Sequence, residues 1–483
     1  MIFPEVSWAA IAPEIALVAG AVAILMVDVQ WKPHTRVLGG IVALAVVSAA
    51  VLSVGQWLRL DTPGDITTPF GGMIAFDRIS VLARFVLLAV AAMGVAGGWR
   101  LFERLGRRAA EALALVLLAT VGFSFMASSI HLVMIFLGLE VGSISLYVLA
   151  GITRERTESD EAAMKYFLLG SFASAVFIYG VALTFAGTGR LALLGQRAFL
   201  DANILTRPAV LLIGLALVIV GLGFKVSAVP FHTWAPDVYQ GAPAGVVGFM
   251  AAGAKIGGFA ALTRILFTAF PSMTDEWSSV VAAIAAVSIA VGVVLALVQD
   301  DVRRMLAYSG VAHAGFILTG VVAGATATTG IWFYLAVYTV QLVAGFAIVA
   351  AVTGSAGSRS DLGAFAGLAT RSPFLAGAFT VALLGMAGIP LTSGFVAKFG
   401  VFVSAWQAGF EWLVIVAVLA SVIAFGVYLR VIVVMYMREP GDDAPAIPTV
   451  AARWMLVAAT VVTILFGVLP QPLLDLARNA FSV

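Results

Sequence analysis

Four ionisable residues stand where ionisable residues are costly. Lys225 in GLGFKVSAVPF, Lys255 in MAAGAKIGGFA, Lys398 in SGFVAKFGVF and Glu140 in MIFLGLEVGSISLYV each lie several residues inside an apolar run. An insertion scale puts a mid-membrane lysine or acid at about 2.5–3.5 kcal/mol. Four of them uncompensated would cost roughly 10–14 kcal/mol, comparable with the whole stability of a typical fold, about 5–15 kcal/mol. Such groups must be paired or hydrated, and a wetted row of them is a proton path. Residue type matters here. Arginine keeps its proton in any protein environment, whereas burial can drive lysine to release it. The chain holds 22 arginines, almost wholly in loops or near the ends of apolar runs, and five lysines, of which only Lys32 is an ordinary loop residue.

Other polar residues give weaker signals. Lys165, in EAAMKYFLLG, follows Glu161 by four residues, the spacing of a common surface helix pair. It is a candidate proton-transfer residue and equally a structural one. His232, in VPFHTWAPDVYQGAP, could pass protons at a helix break as a neutral imidazole, or could cap and pack. His313, in YSGVAHAGF, could bridge to the second half of the chain, or could be a satisfied core histidine. Asp237 reads as a turn or cap residue, Asp300 and Asp301 as a loop pair with Arg303 and Arg304, and Glu14 and Glu111 as interfacial. Snorkelling to the surface, the bland account of a lysine in a span, fits Lys225, Lys255 and Lys398 poorly because of their depth.

The elements that carry these residues follow from composition. Of 483 residues, 62% are hydrophobic and 11% charged, and the mean hydropathy is +1.08. A soluble protein carries about 25% charged residues, so the chain is read as an all-α polytopic membrane protein. A net charge of +2 provides no large basic surface for nucleic acid. The absence of cysteine excludes disulfides, thiolate-held iron–sulfur clusters and cysteine zinc sites, and the four histidines (His34, His131, His232, His313) are too dispersed to form a ligand pair. No metal, cofactor or catalytic site is expected in this chain. The first run has no basic region before it, so no cleavable signal peptide is expected.

Fourteen spans are predicted, near 7–29, 37–58, 79–99, 109–128, 130–151, 163–188, 209–229, 243–267, 277–299, 304–324, 328–353, 373–406, 411–436 and 453–475. The seventh is prolonged irregularly by Pro230 and Pro236, and the twelfth is interrupted by Pro390. Broken backbone at membrane depth is tolerated only inside protein or beside a wet cavity. The two breaks lie five spans apart, and an odd offset makes matching segments cross in opposite directions. That is the pattern of an inverted repeat around a transport site. The expected division is 1–108 (spans one to three), 109–276 (first five-span unit), 277–440 (second unit) and 441–483 (last span). Lys and Arg are about twice as frequent in the odd-numbered connections, which places those connections in the cytoplasm and both termini outside.

LEVGSISLYVLAG, GFKVSAVPFHTWAPDVYQGAP, AKIGGF, MLAYSGVAHAGF and GIPLTSGFVAKFGVF together resemble the antiporter-like membrane subunits of respiratory complex I. The resemblance runs through essentially the whole chain in segment order, and FHTWAPDVYQGAP is its most specific phrase. Within the family it favours subunit N of bacterial NADH:quinone oxidoreductase. Subunit M has glutamate where Lys398 stands, and subunit L carries a long lateral helix for which no sequence is left after Val483. The resemblance implies fourteen helices with two inverted five-helix units and broken spans seven and twelve. It also implies that Glu140 pairs with Lys225, that Lys255 is the central lysine and Lys398 the terminal one, and that Lys165, His232 and His313 are polar links. The implied function is a proton-translocating membrane-arm subunit in a bacterial plasma (inner) membrane. Its partners would be the lipid bilayer and other membrane-arm subunits of complex I. NAD, flavin, iron–sulfur clusters and quinone would belong to partner subunits. The alternatives are a subunit of a multisubunit cation/proton antiporter and a scaffold subunit with silent charges.

Overall fold

The computed structural model describes residues 6–60, 66–153, 155–203, 208–354, 360–440 and 447–480. Arg154, Arg207 and Arg359, which entered the orientation count, lie outside them. The described residues are helical almost throughout, and their extended pairings are isolated bridges such as Ile74 with Ser129 and His131 with Ala192.

The first part of the chain forms α1 (Ala12–Trp31), α2 (Thr35–Trp57), α3 (Arg78–Gly97) and the short α4 (Trp99–Leu105). Then come α5 (Ala109–Ser128), α6 (Leu132–Ala150), α7 (Thr157–Thr188), α8 (Ala209–Val226), the short α9 (Trp234–Gly241) and α10 (Ala244–Arg264). The second half holds α11 (Thr274–Leu297), α12 (Val302–Val321), α13 (Thr328–Thr353), α14 (Pro373–Ala387), α15 (Ser393–Gln407), α16 (Glu411–Met437), α17 (Val450–Val468) and α18 (Gln471–Ala480). Twelve helices among the described residues are long and apolar enough to cross a membrane. The 20-residue α12 carries Arg303, Arg304 and His313, and α14 and α15 are the two pieces of an interrupted run.

Helix α10 is the axis of the bundle. The central part of its run is 94% buried, and it packs on α3, α5, α8 and α13. A helix apolar on every side belongs in such a position. Glycine lets its neighbours come close: a Cβ on Gly258 would lie 2.7 Å from the Val226 side chain. Peripheral helices instead leave large apolar side chains exposed, among them Val51, Phe172, Val298 and Val422. Such faces suit lipid or neighbouring subunits.

Both interruptions fall where proline and positive-φ residues stop a helix. Helix α8 ends at Val226, and Ser227 turns into the left-handed region (φ 62). Pro230 lies in the gap before α9. Helix α14 ends at Ala387, and Gly388 (φ 80) opens a gap holding Pro390 before α15 resumes at Ser393. Each break leaves last-turn carbonyls of a helix without intrahelical donors inside the bundle.

Two expectations need correction. Glu14 is not interfacial: it is 2% exposed and accepts from Arg84 Nε at 2.6 Å and Ser124 Oγ at 2.5 Å. Arg84 also donates to Gln56 Oε1 at 2.6 Å, so α1, α2, α3 and α5 are tied by one buried polar cluster. Nor are the arginines confined to loops and ends. Arg84 stands inside α3, while Arg264 ends α10 as expected but is buried and reaches Asp77 in a two-pronged ion pair at 2.8 and 3.1 Å. Both arginines turn inward because a buried carboxylate waits there, and a buried charge without a partner would be far costlier.

Candidate functional site

Lys225, Lys255, Lys398 and His313 are all buried, at 2%, 1%, 5% and 3% exposure. None of the three lysines reaches the protein surface, so none of them snorkels. Each ammonium has a defined seat.

Lys225 lies in the last turn of α8 and donates to Ser143 Oγ on α6 at 2.7 Å. The rings of Phe123, Tyr147 and Tyr166 surround it at 5.7, 6.0 and 5.7 Å from their centroids, within the range of cation–π attraction. Glu140 and Lys225 form no ion pair here. Glu140 sits one helical turn before Ser143 on the same helix, half-buried, with Oε1 buried and lacking a hydrogen-bond partner. The serine holds the lysine, and the carboxylate stands aside. Leu137, Val141 and Ile144, neighbours of Glu140 on α6, are exposed, so Glu140 stands at the rim of this subunit.

Lys255, on α10, donates to the Val226 carbonyl at 2.7 Å and to the Gly310 carbonyl on α12 at 2.9 Å. Val226 is the last residue of α8, so the ammonium occupies the carbonyl end of a broken helix. Lys398 does the same in the second half: its Nζ donates to Ala387 O, the last carbonyl of α14, at 2.7 Å. Cations are favoured at helix C-termini because the carbonyl dipoles converge there. In a membrane those carbonyls must be satisfied from within the protein. The breaks therefore build the seats. Gly388 belongs to this construction, because a Cβ there would lie 2.8 Å from Lys398 Cδ.

Helix α12 joins the two seats. Gly310, His313 and Phe316 recur at three-residue spacing and so share one face. Gly310 accepts from Lys255, and the Phe316 ring lies 4.6 Å from Lys398 Nζ. Between them, His313 Nδ1 pairs with Tyr334 Oη at 2.8 Å and Nε2 with Tyr428 Oη at 3.2 Å. The Tyr338 ring stacks on the imidazole at 4.1 Å, and Tyr428 Oη lies 2.5 Å from Ser309 Oγ. The order Lys225, Lys255, His313, Lys398 thus runs through adjoining contacts across the interior. Sequence reasoning missed Ser143, Tyr334, Tyr338 and Tyr428. For Ser143 the signal was present in its i+3 spacing from Glu140. The tyrosines gave none, since buried aromatics at helical spacing read as core.

Lys165 and His232 lie elsewhere. Lys165 is 42% exposed and bridges Glu161 Oε1 at 2.7 Å and Asp237 Oδ2 at 2.8 Å. Asp237 is more than a turn residue: its other oxygen binds Arg304 at 2.7 Å. Glu161, Lys165 and Asp237 line an open polar cavity of about 340 Å³ with Glu158, Gln240, Asp301 and Arg303. His232, in the break after α8, is half-buried. Its Nδ1 has no partner, and its ring lies 6.3 Å from that of Tyr308. Neither residue hydrogen-bonds to Lys225, Lys255 or Lys398, whose acceptors are Ser143, Val226, Gly310 and Ala387. No cluster of His, Cys, Asp and Glu suited to a metal occurs among the described residues.

Comparisons with known proteins bear on the family and the fold. Residues 129–424, which include Glu140, Lys225, Lys255, His313 and Lys398, match the family described as NADH:quinone oxidoreductase/Mrp antiporter, transmembrane. NADH-quinone oxidoreductase subunit N of Mycobacterium tuberculosis is 43% identical, over 96% of this chain and 91% of that protein. NADH-quinone oxidoreductase subunit N 2 of Roseiflexus castenholzii is 37% identical, over 99% and 97%. A chain of respiratory complex I from Thermus thermophilus with bound aureothin superposes with a TM-score of 0.82 at 32% identity, covering 97% of this chain and all of that one. A chain of the Mrp complex from Dietzia sp. DQ12-45-1b shares the fold, with a TM-score of 0.84 at 23% identity.

Proposed function

Since the chain belongs to the NADH:quinone oxidoreductase/Mrp antiporter transmembrane family, we propose that it is the subunit N type of antiporter-like subunit in complex I, moving protons through Lys225, Lys255, His313 and Lys398. The observation that carries this reading is the seating of three buried ammonium groups along one interior row.

The row is built to hold protons and to release them on demand. Each ammonium has one or two neutral acceptors and no carboxylate in contact, so no tight ion pair traps it. The lysines do not hydrogen-bond to one another. Transfer between seats therefore requires bridging water or a side chain leaving its seat. Glu140 is the switch. When it approaches Lys225 it holds the charge on that lysine, and when it withdraws the charge moves on towards Lys255. Moving a unit charge through 100 mV costs about 2.3 kcal/mol, which an ion pair forming and breaking in a buried site is large enough to supply. His313 and its tyrosines link the Lys255 seat to the Lys398 seat. The polar cavity lined by Lys165, Asp237 and Arg303 offers a mouth that water could enter on one face.

This chain supplies no redox centre. NAD, flavin, iron–sulfur clusters and quinone belong in this reading to partner subunits, and quinone reduction there moves Glu140. The rim position of Glu140 suits a neighbouring membrane-arm subunit. The setting is a bacterial plasma membrane with both termini outside. Relatives named subunit N, at 37–43% identity over nearly the whole chain, favour this reading over a cation/proton antiporter subunit, for which the likeness is one of fold. Purification in mild detergent tests it. NADH-oxidising and quinone-binding subunits should accompany the chain; co-purification with antiporter subunits alone would overturn the assignment.

A further inference from the structure

We infer, on the proton-transfer reading, that Tyr338 is a positioning residue whose hydroxyl gives the Lys255 ammonium a second seat, reached past Gly310. Two groups beside the first seat are unspent. An ammonium carries three N–H donors, and Lys255 spends two of them, on the Val226 and Gly310 carbonyls. Tyr338, on α13, is 1% exposed, and its Oη has no hydrogen-bond partner among the described residues. Burying a hydroxyl in that state costs free energy. The two groups lie side by side. A Cβ on Gly310 would have Tyr338 Oη at 3.4 Å, Lys255 Cε at 3.6 Å and Lys255 Nζ at 3.9 Å. A spare donor and a spare acceptor thus flank the bare backbone of Gly310.

The surroundings explain why the hydroxyl stays unspent. His313 places Nδ1 on Tyr334 and Nε2 on Tyr428, and turns its flat face to the Tyr338 ring at 4.1 Å. Stacking holds Tyr338 by its ring, and the histidine has no nitrogen left for it. Lysine can reach the hydroxyl on its flexible four-carbon stem. In the first seat the ammonium stands at the end of α8, at the carbonyl of the residue after Lys225. In the second it stands against the tyrosine that covers His313. The move therefore carries the charge from the Lys225 side towards the histidine. The proton stays on Nζ throughout, so only hydrogen bonds change. Gly310 keeps the route open. A methyl there would sit in ordinary van der Waals contact, yet would fill the space that Nζ and Oη share.

Proton flux and melting temperature of the intact complex, measured side by side in proteoliposomes, test the second seat. Tyr338→Phe keeps the ring and removes a hydroxyl that is unspent in the first seat. The melting temperature should not fall, while proton flux falls several-fold. Gly310→Ala should do the same, because its Cβ meets only ordinary contacts and alanine suits a helix better than glycine. Gly345→Ala adds a methyl whose nearest neighbours are the Phe379, Leu306 and Met386 side chains at 3.7–3.8 Å, and it should leave flux unchanged. Gly310→Ala/Tyr338→Phe should be no slower than the slower single variant, since both changes block one movement. Two independent packing faults would add instead, and that result would overturn the second seat. So would full flux in both single variants, or a melting temperature that falls with every loss of flux. Lys255→Met separates the two claims. Full flux there rejects the proton-transfer reading, whereas lost flux there beside full flux in Tyr338→Phe and Gly310→Ala rejects only the role of Tyr338.

Discussion

Lys255 Nζ lies 2.7 Å from the carbonyl oxygen of Val226, the residue that follows Lys225 and ends α8. Two lysines from different helices are thereby brought to the two sides of one helix terminus. The broken span does two jobs. Its last turn carries one ammonium, and its exposed carbonyl seats the next. Without the break that carbonyl would be spent on an intrahelical bond. Lys255 would then have lost one of the two acceptors that make its burial tolerable.

Ser143→Ala removes the only hydrogen-bond acceptor of Lys225 among the described residues. A hydrogen bond to a charged group contributes about 1.5–3 kcal/mol, so the resting position of Lys225 should shift towards Glu140. The expected outcome is a several-fold slower proton flux with the complex still assembled, and recovery in Ser143→Thr. Flux in proteoliposomes, normalised to assembled complex, checks it. Equal flux in the alanine variant would show that the serine seat is idle.

Gly388→Ala should act in two ways. A left-handed conformation costs a non-glycine residue about 1–2 kcal/mol, and the new methyl meets Lys398 Cδ at 2.8 Å. Gly189 is also left-handed (φ 67), with open space around its Cβ position. Gly189→Ala should therefore carry the strain alone. Both variants should lower the melting temperature of the complex, and only Gly388→Ala should also slow proton transfer.

Tyr428→Phe keeps the ring and deletes the hydroxyl that stands between Ser309 and His313. Leaving buried partners unsatisfied costs about 1–3 kcal/mol. Proton flux should fall while NADH oxidation by an artificial acceptor is unchanged. A parallel fall in both rates would indicate a packing defect instead.

Asp77 provides a pH test outside the spans. Burial works to raise its carboxyl, but the Arg264 charge and hydrogen bonds, with those of Ser80, outweigh it and hold the group below its ordinary value of 3.8. A depressed acid stabilises the fold above its unfolded value, and the gain is lost as pH falls through the folded value. Breaking such a buried pair costs about 3–5 kcal/mol. Asp77→Asn should lower the melting temperature at pH 7, and the gap from the unsubstituted protein should close only in strong acid. A gap that closed between pH 5 and 7 would contradict the assignment.

Much of the row was legible before any coordinates, because membrane burial makes single residues conspicuous. A lysine deep in an apolar run needs an explanation, and a proline in an over-long run marks a break. Pairing was not legible. Arg84 stands plainly inside an apolar run, but its partner Glu14 lies 70 residues away on another helix, and only packing brings the two together. The same holds for Asp77 and Arg264. Lys225 shows a subtler gap: the family resemblance implies Glu140 as its partner, while the structure places Ser143, one turn further along α6, at the ammonium. The acceptors of Lys255 and Lys398 are backbone carbonyls, which no side-chain pattern can announce.

The most direct test is proton pumping per NADH oxidised by the complex carrying Lys255→Met, reconstituted in sealed vesicles. Methionine keeps the bulk of the side chain and removes its titratable proton. The account predicts a clear fall in protons translocated per NADH with the complex assembled. An undiminished ratio would contradict it.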